Sequence, residues 1–147
     1  MDVKAFGVFT NWLYTQTIMD SSGGAPKVDV LANLWIFAER ILHPKLQNQV
    51  MSCLHDNLYN GKFDKKAFYT FCNIADRHGD GDSCLLDLAA TVLTWSPPSR
   101  VEEEDMYLIP RSVLAKSWQS FKGAQTHAMR IPCKVKRYLV KITDDEN

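Results

Sequence analysis

The sequence predicts a mainly α protein, a helical bundle, on three observations. Apolar residues recur at three- and four-residue spacing through the first two-thirds of the chain. Prolines, glycines and short polar residues interrupt those stripes at helix-length intervals. Only Tyr138, Val140 and Ile142 alternate as the residues of a short strand would.

Asp2 can cap a first helix in which Phe6, Phe9 and Leu13 form a stripe, widened by Ala5 and Trp12. Gly7 weakens it by about 1 kcal/mol relative to alanine, so it depends on tertiary packing. It should stop near Thr15, before a flexible connection made by Ser21, Ser22, Gly23, Gly24 and Pro26. A second helix is expected from an Asp29 cap, with Leu31, Leu34, Trp35, Ala38, Ile41 and Leu42 on its inner face. Pro44 suits the first position of a third helix, where its missing N–H costs nothing. Leu46, Val50, Cys53 and Leu54 line that helix, and Asn60-Gly61 ends it. The short joint at His43-Pro44 makes the second and third helices a hairpin.

A fourth helix should start at Asp64, with Phe68, Phe71, Cys72 and Ala75 on one face. A fifth should run to Trp95 on Leu85, Leu88, Ala89 and Val92, stopped by Pro97-Pro98. A last amphipathic helix after Pro110 would use Leu114, Trp118 and Phe121. The expected organisation is therefore 1–59, a helical extension over 60–96, and a charged region over 97–147.

The 17 basic and 17 acidic residues cancel, which argues against a protein that coats nucleic acid or an anionic membrane. No apolar run reaches the roughly 18 residues that span a bilayer. Cys53, Cys72, Cys84 and Cys133 are irregularly spaced, with no Cys-x-x-Cys, and the first apolar stretch carries Asp2, Lys4 and Asn11, unlike a secretory leader. Reduced thiols in the cytoplasm or nucleus are the expectation.

The stretches "AFGVFTNWLYTQTI" and "LANLWIFAERILHPKLQNQVMSCL" carry three ordered blocks. These are Phe6, Phe9, Trp12, Leu13, Tyr14 and Thr15; then Leu34, Trp35, Ala38, Glu39 and Arg40; then Pro44, Leu46, Gln47 and Asn48. Together they resemble the C-terminal half of BTB/POZ domains of fungal type, and "LLDLAA" (85–90) resembles the helix that often follows. The resemblance covers roughly residues 2–95. It implies that residues 1–59 are the C-terminal half of such a domain, whose strand-bearing N-terminal half is missing from this chain. For function it implies non-enzymatic protein–protein interaction, with homo-oligomerisation and, in some members, recruitment of substrates to cullin-type ubiquitin ligases. Phe9 and Trp12 would then be core residues of a truncated domain.

The alternative function is that of a small calcium- or metal-responsive protein. "DRHGDGDSCLLD" places Asp76, Asp80, Gly81 and Asp87 at positions one, five, six and twelve of a calcium loop. Two faults oppose it: His78 stands where an oxygen donor is needed, and Asp87 is shorter than the closing glutamate. The plainer reading is a loop with Asp82 or Ser83 capping the next helix. Cys72, His78 and Cys84 lack the short ligand spacing of structural zinc sites, and Cys53 with His55 reads as a buried thiol beside a surface imidazole. No phosphate loop occurs, and Glu102–Asp105 reads as a solvated acidic loop. Eight basic residues and no acidic one lie between Arg111 and Lys141. "KVKRYLVK" (134–141) could contact phosphate or act as an import signal, but the neighbouring acids favour a solvated surface. No cofactor, metal or catalytic residue is expected from these patterns. Aromatic faces that cannot all share one core, such as Trp35 and Phe37, are expected to leave a residue of exposed rings for a protein partner.

Overall fold

The computed structural model describes residues 2–79, 83–97, 99–127 and 135–142, with the backbone alone for 125–127, 136 and 137. Among these residues the chain forms helices α1 (Val3–Thr15), α2 (Val28–Arg40), α3 (Pro44–Tyr59), α4 (Lys65–His78), α5 (Cys84–Trp95) and α6 (Arg111–His127). One 3₁₀ turn, Glu103–Leu108, precedes α6, and a second, Val135–Tyr138, follows it. The mainly α expectation holds, and among the described residues there is no strand.

The capping chemistry explains most of the boundaries. The Asp2 carboxylate accepts from Lys4 N at 3.3 Å and the Asp64 carboxylate from Lys66 N at 3.0 Å, so each satisfies an orphan donor of its helix. His43 Nδ1 accepts from Leu46 N at 3.2 Å, and Pro44 occupies the first turn of α3. Asp29 is not a cap: α2 begins one residue earlier, after Lys27, and Asp29 lies in its first turn. The loop after α1 is also more defined than its composition suggests. Asp20 accepts from Ser22 N at 2.8 Å, Ser22 Oγ at 2.6 Å and Gly24 N at 3.0 Å. The Ser22 hydroxyl, followed by the Gly24 amide, holds the Asp20 carboxyl below its ordinary range.

Helix α2 is the hub, packing on α1, α3 and α4. Leu31, Leu34, Trp35 and Ala38 are buried as the stripe predicts, and no residue from Val28 to Glu39 is fully exposed. Ile41 and Leu42 fall outside that stripe because the helix ends at Arg40, leaving them 42% and 86% exposed. His43 N donates to Ala38 O at 2.9 Å and Leu42 N to Glu39 O at 3.0 Å, the paired bonds of a Schellman ending. Leu42 therefore sits at φ 55°, the left-handed position usually given to glycine.

Phe68, Phe71, Cys72 and Ala75 of α4 and Leu85, Leu88, Ala89 and Val92 of α5 are buried as expected. On α3, Gln47 and Met51 join Leu46, Val50 and Leu54 inside, while Cys53 is only half-buried. Helix α6 packs on α5 with Val113 wholly buried and the expected Leu114 partly buried against the core, while the expected Trp118 and Phe121 remain 58% and 41% exposed. Thr94 and Ser117 hydroxyls, 2.7 Å apart, and the Lys116–Asp87 ion pair at 2.6 Å fix that contact. Buried residues from Ala5 to Tyr138 belong to one core, which therefore crosses the segments 1–59, 60–96 and 97–147.

Residues 139–142 run as irregular chain after the second 3₁₀ turn, not as the strand that the alternation suggested. The acidic run is likewise more than a solvated loop. Lys65 Nζ lies 2.9 Å from Glu102 and 3.8 Å from Asp105, and Tyr69 Oη donates to Asp105 at 3.0 Å. Arg100 donates to Leu58 O at 3.1 Å, satisfying a carbonyl in the last turn of α3.

Three substitutions test this account by urea denaturation. Leu34→Ala should cost about 2–5 kcal/mol, because Leu34 is wholly inside the hub. Leu13→Ala should change stability by less than about 0.5 kcal/mol. Leu42→Gly should stabilise by up to about 1 kcal/mol, since it relieves the left-handed position without losing burial.

Candidate functional site

Three surfaces carry features beyond packing. The first is a cleft of about 730 Å³ where α2, α3, α4, α5 and the C-terminal segment meet, lined among others by Trp35, Glu39, Gln47, His78, Ser83 and Cys84. His78 Nε2 lies 2.7 Å from Glu39 Oε2, linking the end of α4 to α2, and the His78 ring meets Trp35 at 6.0 Å and 80°. Among the described residues Trp35 Nε1 and Ser83 Oγ are buried without a hydrogen-bond partner, and Ser83 precedes α5 without capping it through its side chain. Burial pushes the Cys84 thiol pKa up, and Asp87 and Glu39 add to the rise, the reverse of what activates a nucleophilic thiolate.

The second is a strap. Tyr138 is 2% exposed and the 3₁₀ turn that carries it packs on α3 and α5. Two residues on, the Asn48 side chain donates to Val140 O at 2.9 Å and accepts from Val140 N at 2.7 Å. One carboxamide thus satisfies both backbone groups of one residue, as a neighbouring strand would. Val140 and Lys141 form one wall of the cleft.

The third is a set of outward apolar side chains. On α1, Val3, Phe6, Leu13 and Tyr14 are 85%, 51%, 52% and 86% exposed. A groove of about 850 Å³ beside them is lined by Val3, Gly7, Val8, Tyr14, Pro26 and Val30, among others. At the other side of the chain order, Trp118 and Phe121 stack with centroids 6.0 Å apart, and Lys122 Nζ lies 5.5 Å from the Trp118 ring centre. They border an apolar groove of about 390 Å³ between α5 and α6.

The residues that carry the BTB resemblance divide accordingly. Trp12, Leu34, Trp35, Ala38, Leu46 and Gln47 are buried, and Phe9 is half-buried against the core. Phe6, Leu13 and Tyr14 face outward, because the buried stripe of α1 is Ala5, Val8 and Trp12. Asn48 clamps the strap.

The calcium pattern is split among other partners. Asp76 accepts from the Ser112 hydroxyl, Asp87 pairs with Lys116, and His78 pairs with Glu39. Asp80, Gly81 and Asp82 lie outside the described residues, and among the described residues no group of three His, Cys, Asp or Glu side chains is placed to hold a metal ion. Cys72 is wholly buried, and burial raises its pKa to about 12. Cys133 and Lys134 also lie outside the described residues. His55 is not a surface imidazole: its side chain is 13% exposed and its ring lies 4.6 Å from that of Tyr59. Among the described residues no helix is long and apolar enough to cross a membrane.

The strap was invisible to sequence reasoning because its partners stand 92 positions apart. The only signals were the hydrophobic alternation after Arg137 and a carboxamide on the flank of α3. Comparison of the chain with models of protein families, with curated proteins and with solved structures gives no match.

Two measurements follow. Asn48→Ala removes both bonds to Val140, each worth about 0.5–1.5 kcal/mol, so amide exchange of residues 139–142 should accelerate at least about tenfold while α2 remains protected. Burial, helped by Asp105, raises the Tyr69 pKa from 10.0 to about 12. The unfolded chain then releases that proton first, so Tyr69 contributes stability that is complete below pH 10 and lost as pH rises toward 12. Denaturation of the Tyr69→Phe variant should show a shallower decline across that window.

Proposed function

We propose that the chain is a non-enzymatic protein–protein interaction module that engages its partner through the outer face of α1. One observation carries the reading: α1 holds a core stripe on one side and presents Phe6, Leu13 and Tyr14 to solvent on the other. A helix that is apolar on both sides is suited to lie between two bodies. Leu42 supports the same reading. It keeps an 86% exposed side chain at a left-handed position that glycine would occupy without strain. The Trp12 and His43 rings, 5.1 Å apart, bring Leu13 and Leu42 to the same end of the molecule.

The BTB-type assignment, with dimerisation or an adaptor role in ubiquitin ligation, belongs to this proposal. Its support is the sequence pattern: a Phe-x-x-Phe…Trp-Leu-Tyr-Thr helix, a loop, and a hairpin with Ala38-Glu39-Arg40 and Leu46-Gln47-Asn48. The chemistry of the cleft favours binding over catalysis, because the Cys84 thiol is held protonated and the His78–Glu39 pair already joins two helices.

Affinity capture with the wild-type chain and with the Phe6→Asp/Leu13→Asp variant tests the proposal. The variant should lose the partner, or self-association measured by sedimentation, while its thermal midpoint moves by no more than about 3 °C, as expected for exposed positions. Equal association by both chains removes α1 as the interface.

A further inference from the structure

We infer that the seat for residues 138–140 on α3 and α5 is also an acceptor site for the same segment of a second copy of this chain, so that two copies exchange straps. The inference stands apart from the α1 face and uses different residues. The strap is bound as a peptide ligand is bound. An aromatic anchor, Tyr138, is 2% exposed, and two residues later Asn48 reads both backbone groups of Val140, at 2.9 and 2.7 Å. The turn that carries Tyr138 packs on α3 and α5, and Asn48 belongs to α3, so the seat is built by helices other than the one that delivers the strap. Seven residues, 128–134, separate the end of α6 from the strap.

Any copy of the segment meets the seat with the same complementarity, since Val135, Tyr138, Leu139 and Val140 all belong to the segment itself. An exchange therefore keeps the burial of Tyr138 and both Asn48 bonds, and its main cost is that of association. Within one copy the short link gives the strap an effective concentration of about millimolar order, so the intramolecular arrangement dominates in dilute solution. Reciprocal exchange becomes favourable when two chains are concentrated, or when one chain's own strap is defective. The occupant is thus a second copy, whose segment is identical to the one that fills the seat.

Complementation between two full-length variants removes the intramolecular competitor. Tyr138→Ala impairs the strap and spares the seat; Asn48→Ala impairs the seat and spares the strap. With Phe6→Asp/Leu13→Asp present in every chain to remove association through α1, each alone should sediment as a monomer, and an equimolar mixture should form a one-to-one heterodimer. Placing Asn48→Ala and Tyr138→Ala in the same chain should abolish its pairing with the Asn48→Ala chain. Should Tyr138→Ala fail to fold, Val140→Pro takes its place, because it deletes the N–H that Asn48 accepts and leaves Tyr138 untouched. Mixtures that stay monomeric, with a wild-type chain that stays monomeric at millimolar concentration, overturn the inference. A labelled peptide of residues 135–142 that binds the Tyr138→Ala chain at least tenfold more tightly than the double variant, without any heterodimer, overturns it too. It would assign the seat to another protein's segment.

Discussion

Helix α2 places Leu31, Leu34 and Trp35 within little more than one turn, and covering them takes α1, α3 and α4 together. A fully buried side chain of this size contributes about 1.5–3 kcal/mol, so helices that are individually marginal gain their stability by docking on this one. The order of the other elements follows. The joint at Ile41–His43 is only three residues, so α3 must return along α2, and α4 closes the remaining side. Helix α5 then covers α4, and α6 covers α5. Between these packed faces the polar ties each join elements that packing has already brought together: His78 to Glu39, Asp76 to Ser112, Lys116 to Asp87 and Tyr69 to Asp105. They set register more than they supply stability, because most are partly exposed and pairs of that kind contribute at most about 1 kcal/mol.

This arrangement explains which parts of the architecture could be read from the residues. Where a stripe is long and buried on the hub, as in Leu31-Leu34-Trp35-Ala38 or Phe68-Phe71-Cys72-Ala75, periodicity found the correct face. At the last helix, far from the hub, periodicity misled in part. Trp118 and Phe121 lie at the expected spacing, yet they remain partly exposed at the rim of the α5–α6 groove while Val113 is wholly buried. Ile41 and Leu42 continue the α2 pattern in sequence, but the chain must turn there to enter α3, and a turn overrides a stripe. The strap was beyond reach for a different reason: a hydrogen bond across 92 residues leaves no local trace.

The C-terminal segment shows how an extended chain can be held without a sheet. A strand needs a neighbouring backbone to pair with, and among the described residues no strand is present to offer one. Asn48 supplies the same donor and acceptor from a side chain, and does so for a single residue. That arrangement is geometrically specific yet energetically modest, since two hydrogen bonds contribute about 1–3 kcal/mol together. Burial of Tyr138 supplies the rest. The Tyr138 ring, with Val135 and Leu139 packed beside it against the core, and the Asn48 carboxamide hold the segment on α3 and α5 and not on α2, which is what separates it from the helices of the core.

The opening helix shows why the outward apolar face is a property of this fold and not a packing accident. The inward residues of α1 are Ala5, Val8 and Trp12, two small side chains and one large one. The small pair lets the helix backbone approach α2 closely, and the single indole fixes its position, donating to Gln49 at 2.6 Å while meeting His43 edge-on. Turning α1 to bury Phe6 and Leu13 would withdraw that indole from Gln49 and present the bulkier stripe to a surface already filled at Phe37, whose ring meets Phe9 at 4.9 Å. The hub therefore accepts α1 only with its smaller side inward. An apolar exterior on α1 thus follows from the way the interior is filled.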